Sequence, residues 1–142
     1  MYSFAELITS SGDYLRRFNG SEYPVCFQEF EARCEPLFSA LEPGALARVA
    51  EELVAALTAQ LDVLPKRERK LAAERDQRLF ALFLSPAAAR HSETAMAFAE
   101  ELQKQWNRNH PKNSFLCGDY EKIMEGFDAS FLGIPLKGFR TR

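Results

Sequence analysis

Residues Lys66 to Leu84 read KRERKLAAERDQRLFALFL. The first half is almost all charge. The last six residues, Leu79-Phe80-Ala81-Leu82-Phe83-Leu84, are apolar on every side of a helix. A helix apolar all round is buried, and a charged one faces water. One helix with both characters predicts a solvated start and an end wrapped by neighbours. Residues 79–84 become the expected hub of a helical core, and Lys66–Arg78 the expected outward-facing part.

Upstream of the hub, Ala45 to Leu64 is the clearest helix. Leu46, Val49, Ala50, Leu53, Leu57, Leu61 and Leu64 recur at helical spacing. Pro65 separates it from the hub helix, and so short a connection predicts an antiparallel pair. Downstream, Ser85-Pro86 is expected to end the hub helix and open another, since serine caps and proline fits a first turn. That next helix carries Ala88, Ala95, Ala99, Leu102 and Trp106 and should reach about Asn107.

Earlier in the chain, Ser3 to Phe18 reads as one helix. Ser3 and Glu6 stand in capping-box spacing, and Asn19-Gly20 supplies a stop. A helix beginning near Pro24 carries Phe27, Phe30, Cys34, Leu37, Phe38 and Leu41. Pro36 interrupts that stripe at a cost of about 3 kcal/mol, which predicts a kink or a restart. Late in the chain, residues 107–113 form a polar turn. Asp119–Phe127 reads as a short helix. Phe131, Leu132, Ile134, Leu136 and Phe139 predict an extended apolar segment, lying on the bundle or on a second copy.

Composition supports this reading. The chain has 142 residues, 46% hydrophobic and 27% charged, as globular proteins do. Val and Ile are scarce and helix formers abundant, which argues against a large sheet. The expected fold is all-α: one domain spanning residues 1–142, an irregular antiparallel bundle of five to six helices closed by the apolar C-terminal segment. Its expected core is Phe4, Leu7, Leu15, Phe27, Phe30, Phe38, Leu53, Leu57, Leu61, Leu79, Leu82, Phe83, Phe98, Leu102, Trp106, Ile123 and Phe127.

Charge is unevenly spread. Up to Pro65, four arginines face ten acids; from Lys66 onward, fourteen Lys and Arg face ten acids. The two parts are near −6 and +4, a difference that pulls lobes together or steers copies head to tail. Cys26, Cys34 and Cys117 are odd in number. The first two, if on one helix, lie about 12 Å apart, beyond disulfide reach. Reduced thiols in a cytoplasmic protein are expected. The start, MYSFAELITSSGD, has no basic region before an apolar run, so no signal peptide is expected. No apolar run approaches the ~18 residues of a membrane span.

Two clusters stand out as sites. Arg67, Lys70 and Arg78 share one helix face by spacing, and cations at a helix start oppose the macrodipole. The plain reading is a solvated face balanced by nearby acids. The functional one is a contact for an anionic partner, an acidic protein surface or nucleic acid. A pI of 5.8 disfavours nucleic acid, whose binders are usually basic. The second cluster is Trp106 with Arg108, His110 and Lys112, which could stack on and hold a small anion. More often such a tryptophan completes a core stripe and gives its N–H to a turn carbonyl.

Catalytic and metal patterns are missing. His91, His110 and the cysteines lack metal-ligand spacing. The row His91-Ser92-Glu93 cannot form a triad, which is assembled in space around oxyanion donors. The glycines make no phosphate loop, so no cofactor is expected. The resulting expectation is a small, non-catalytic helical protein that works by protein–protein contact, self-association through the apolar C-terminal segment included. A nucleic-acid-associated protein, and a ligand-binding or enzymatic domain near Trp106, are the alternatives.

Overall fold

The computed structural model describes residues 2–17 and 22–117. Among these the fold is all-α, and the helices share one continuous hydrophobic core. They are α1 (Phe4–Ser10), α2 (Gly12–Arg17), α3 (Tyr23–Ser39), α4 (Leu46–Asp62), α5 (Lys66–Leu79), α6 (Ser85–His91) and α7 (Glu93–Asn109). Short 3₁₀ turns occupy Pro43–Ala45 and Pro111–Asn113. The helix expected at Asp119–Phe127, the apolar segment beyond it and the Asn19-Gly20 stop lie outside the described residues.

The hub sits where expected, but the helix does not end at Ser85-Pro86. α5 passes through a π-helical turn, Phe80–Leu84, directly into α6. The Ser85 N–H reaches back to the Phe80 carbonyl, one residue further than in an α-helix. An α-helical proline would press its ring on the carbonyl four residues back, here Leu82, and leave it without a donor. The wide turn gives that ring room. The Tyr23 hydroxyl, from α3, donates to the Leu82 carbonyl at 2.8 Å. The real break comes at Ser92, extended at φ −168°, whose hydroxyl accepts the Ala95 N–H and so caps α7.

Every residue from Leu79 to Ala88 is buried. Phe83 packs among Tyr14, Tyr23 and Phe30, with ring centroids 5.4–6.0 Å away. Phe80 meets Trp106 edge-on and Phe115, both at 5.1 Å. Of the expected core, Leu15 is only half-buried, and Ile123 and Phe127 lie outside the described residues. The structure adds Ile8, Tyr14, Tyr23 and Phe115.

Three other expectations change. The single helix Ser3–Phe18 is two, broken at Ser11, although the Ser3–Glu6 capping box is present. The break lets the backbone at Gly12 approach α5: a Cβ there would lie 3.2 Å from Arg75 Cδ. α3 does not restart at Pro36 but runs through it to Ser39. Ala32, whose carbonyl loses its donor, is exposed and so open to water. Finally, α4 packs chiefly on α7 rather than on α5. Gln105 on α7 donates to the Ala47 carbonyl at 3.0 Å.

Candidate interaction surfaces

The chain leaves α4 through Val63, turns at Pro65 and starts α5 without a side-chain cap. From Lys66 to Leu71 all six residues are exposed, on every side of the helix. Ala72 is half-buried and Ala73 is the first residue inside the core. About a turn and a half of helix therefore projects beyond the bundle. It carries four cations, Lys66, Arg67, Arg69 and Lys70, against one acid, Glu68.

The cations have different occupations. Arg69 folds back, its Nη2 donating to the Leu64 carbonyl at 3.1 Å, and so helps close α4. Among the described residues no ion pair engages Lys66, Arg67 or Lys70. Some of the acids that could have balanced them are held elsewhere, whereas Glu51, Asp62 and Glu68 are exposed and in no ion pair among the described residues. Glu52 pairs with Arg48, Glu74 faces Arg78 at 3.9 Å, and Asp76 pairs with Arg75 at 3.1 Å. Two large apolar side chains stand in the same region, Val63 at 81% and Leu71 at 59% exposure.

Arg67 and Lys70 are thus together on the free end. Arg78 is not with them. It lies about 12 Å beyond Lys70 and about 16 Å beyond Arg67 along the helix, half-buried, and burial lowers its pKa while Glu74 opposes that shift.

At the other cluster, Trp106 is wholly buried. Its indole N–H donates to the Asn113 carbonyl at 2.8 Å. His110 stacks on the ring at 4.0 Å and meets the Thr58 hydroxyl at 2.9 Å through Nε2. Burial lowers the His110 pKa, so the neutral ring is favoured. Arg108 and Lys112 are exposed. Gln77 and Asn107 then pin the returning segment by bonds to Ser114 and Phe115. The ring has no open face for a ligand to stack on, and its polar edge already holds a protein carbonyl.

Three features had no local sequence signal strong enough to be picked out. The first is an apolar groove of about 370 Å³ between the start of α1, the end of α3 and the middle of α4. Phe4, Leu37, Leu41, Val49 and Leu53 line it, with Tyr2 and Glu52 at its edges. The second is a polar notch of about 340 Å³ between α3 and α6, where Glu31 holds Arg90 at 3.1 Å and His91 lies against Phe38. The third is Asp76, 1% exposed, whose carboxylate takes Nε and Nη2 of Arg75. Burial pushes its pKa up to about 6 against the pull of Arg75. Its position was legible in part, since it lies three residues from both Ala73 and Leu79 on the buried face.

The cysteines do not read as nucleophiles. Burial raises the pKa of Cys26, Cys34 and Cys117, the last to about 11, which keeps them as thiols. Ser92, beside His91, has its oxygen committed to capping α7. Among the described residues no group of three or more His, Cys, Asp or Glu is placed to hold a metal ion. No described helix is long and apolar enough to cross a membrane. Protein-family models, curated proteins and solved structures give no match to the chain.

Proposed function

We propose that this is a non-catalytic interaction protein that meets its partner through the projecting start of α5. One observation carries the reading: Lys66, Arg67 and Lys70 stand exposed, without ion pairs among the described residues, in the same region as the exposed Val63 and Leu71. Cations in the first turn oppose the helix dipole by about 0.3–1 kcal/mol each, so folding alone does not favour them there. An anionic partner removes that penalty.

The mixture of charge and apolar surface favours an acidic protein face over nucleic acid. A phosphate backbone uses the cations but gains nothing from Val63 and Leu71. The chain's net charge of −2 also opposes long-range attraction to a polyanion. Three free cysteines fit a cytoplasmic, reducing setting. The apolar segment beyond residue 130 offers a second contact, for a partner or another copy.

The test is capture from an extract of the source cells on immobilised full-length protein. Wild type is compared with the triple variant Lys66→Glu, Arg67→Glu, Lys70→Glu. The proposal expects a protein that survives nuclease treatment and is lost with the variant. Identical captured sets for the two proteins would contradict it. Capture that disappears on nuclease treatment would instead favour the nucleic-acid reading.

A further inference from the structure

The projecting start of α5 and the groove between α1, α3 and α4 are complementary in chemistry. The first is cationic with two exposed aliphatic side chains. The second has an apolar floor, built by Leu37, Leu41, Val49 and Leu53, in the acidic part of the chain. Glu52 is at its edge and the exposed Glu42 follows Leu41. The nearby arginines are engaged: Arg48 pairs with Glu52, and Arg33 donates to the Ser10 hydroxyl and lies over Tyr2.

Within one molecule the two surfaces cannot meet. Leu53 and Val63 are about 15 Å apart along α4. The start of α5 is also fixed in place, because the same helix continues into the buried hub. The complement must come from another molecule, and a second copy carries it.

We propose that the start of α5 of one copy seats in the α1–α3–α4 groove of a second. Val63 and Leu71 cover the apolar floor, and Lys66, Arg67 and Lys70 face Glu42, with Glu52 shared between them and its exposed partner Arg48. This rests on the reading of the α5 start as a contact surface, and it adds the partner. The two patches differ, so the contact is heterologous: each copy has one free end and one groove, and association runs head to tail into a ring or an open chain.

The experiment is sedimentation velocity on the full chain, with two variants that each block one patch. Leu71→Asp removes the apolar contact of the free end. Ala40→Arg puts a bulky cation at an exposed position lining the groove, where it repels the incoming lysines. Glu52→Lys is the second groove variant should Ala40→Arg disturb folding, which circular dichroism checks.

Wild type is expected to associate with rising concentration, at least tenfold more weakly at about 500 mM than at about 50 mM salt. Each variant alone stays monomeric. Their equimolar mixture forms dimers and stops there, because Leu71→Asp keeps its groove and Ala40→Arg keeps its free end. A mixture that stays monomeric, or a wild type monomeric to about 0.5 mM (where even weak contacts form), overturns the proposal. Association blocked by Leu71→Asp but not by the groove variants overturns the groove while leaving the α5 reading intact. Association indifferent to Leu71→Asp overturns the proposal and removes self-contact as support for that reading.

Discussion

The two ends of one continuous helix behave as opposites. From Lys66 to Leu71 every side chain is exposed; from Leu79 to Ala88 every side chain is buried. Yet the backbone between them is uninterrupted, and the same hydrogen-bonded rod supports both. The difference teaches that stability and contact are divided along the rod. The buried end gains from hydrophobic transfer and aromatic packing. The exposed end gains almost nothing from the fold and is held out by it. Substitutions at the two ends should therefore separate folding from binding.

The largest effect is expected at the hub. Phe83→Ala removes a ring with no exposed surface that packs against Tyr14, Tyr23 and Phe30. The expected loss is about 3–5 kcal/mol, read by urea unfolding. A loss below about 1 kcal/mol would erase the contrast between the ends.

Next is Asp76, at the boundary between them. Its folded-state pKa of about 6 lies above the ordinary value of about 4. As pH falls through that window the folded state takes up the proton first, so stability rises; as pH climbs from about 4 to 6, stability is lost. The total is about 3 kcal/mol. Asp76→Asn should therefore stabilise the protein at pH 7.5 by about 1–3 kcal/mol and flatten this part of the pH profile. His110 acts in the opposite sense, since its lowered pKa removes stability as pH drops below its ordinary value. Comparing the variant with wild type isolates the Asp76 contribution. A destabilised variant at pH 7.5 would show that the Arg75 pair outweighs burial.

A smaller effect is expected from Tyr23→Phe. It leaves the Leu82 carbonyl without the hydroxyl that serves it next to Pro86. The expected loss is about 1–2 kcal/mol by the same unfolding measurement. Pro86→Ala in the Tyr23→Phe background should recover part of it by restoring a backbone donor. No recovery would disconnect the tyrosine from the proline.

The exposed end should show no loss of stability at all. Lys66→Glu, Arg67→Glu, Lys70→Glu together replace cations by anions at the helix start and should raise the unfolding free energy by about 1–2 kcal/mol. The same variant should abolish partner capture. Unfolding shifted as far as by a hub variant would mean that these cations are structural.

The sequence disclosed the contrast itself, because a run that is apolar all round and a run of charge need no tertiary information. The α4 helix was legible from its leucine spacing for the same reason. What stayed hidden depended on distant partners. Ser85-Pro86 looks like a helix boundary until Tyr23, far earlier in the chain, is placed beside Leu82. The break at Ser11 places Gly12 against Arg75 of another helix. The groove is assembled from three helices, none of which shows it alone. Of the site residues, Arg67 and Lys70 stand on the projecting end, whereas Arg78 is tucked against Glu74. Spacing puts all three on one face, but it does not say where along that face the bundle begins.

Amide hydrogen exchange along residues 66–91 tests the division most directly. Opening of the hub amides of Phe83, Leu84, Ser85, Ala87 and Ala88 should require global unfolding, while Lys70 and Leu71 should exchange at least about a thousandfold faster through local fraying. Uniform protection from Lys70 to Ala88, or rapid exchange at Phe83 and Leu84, would contradict the account.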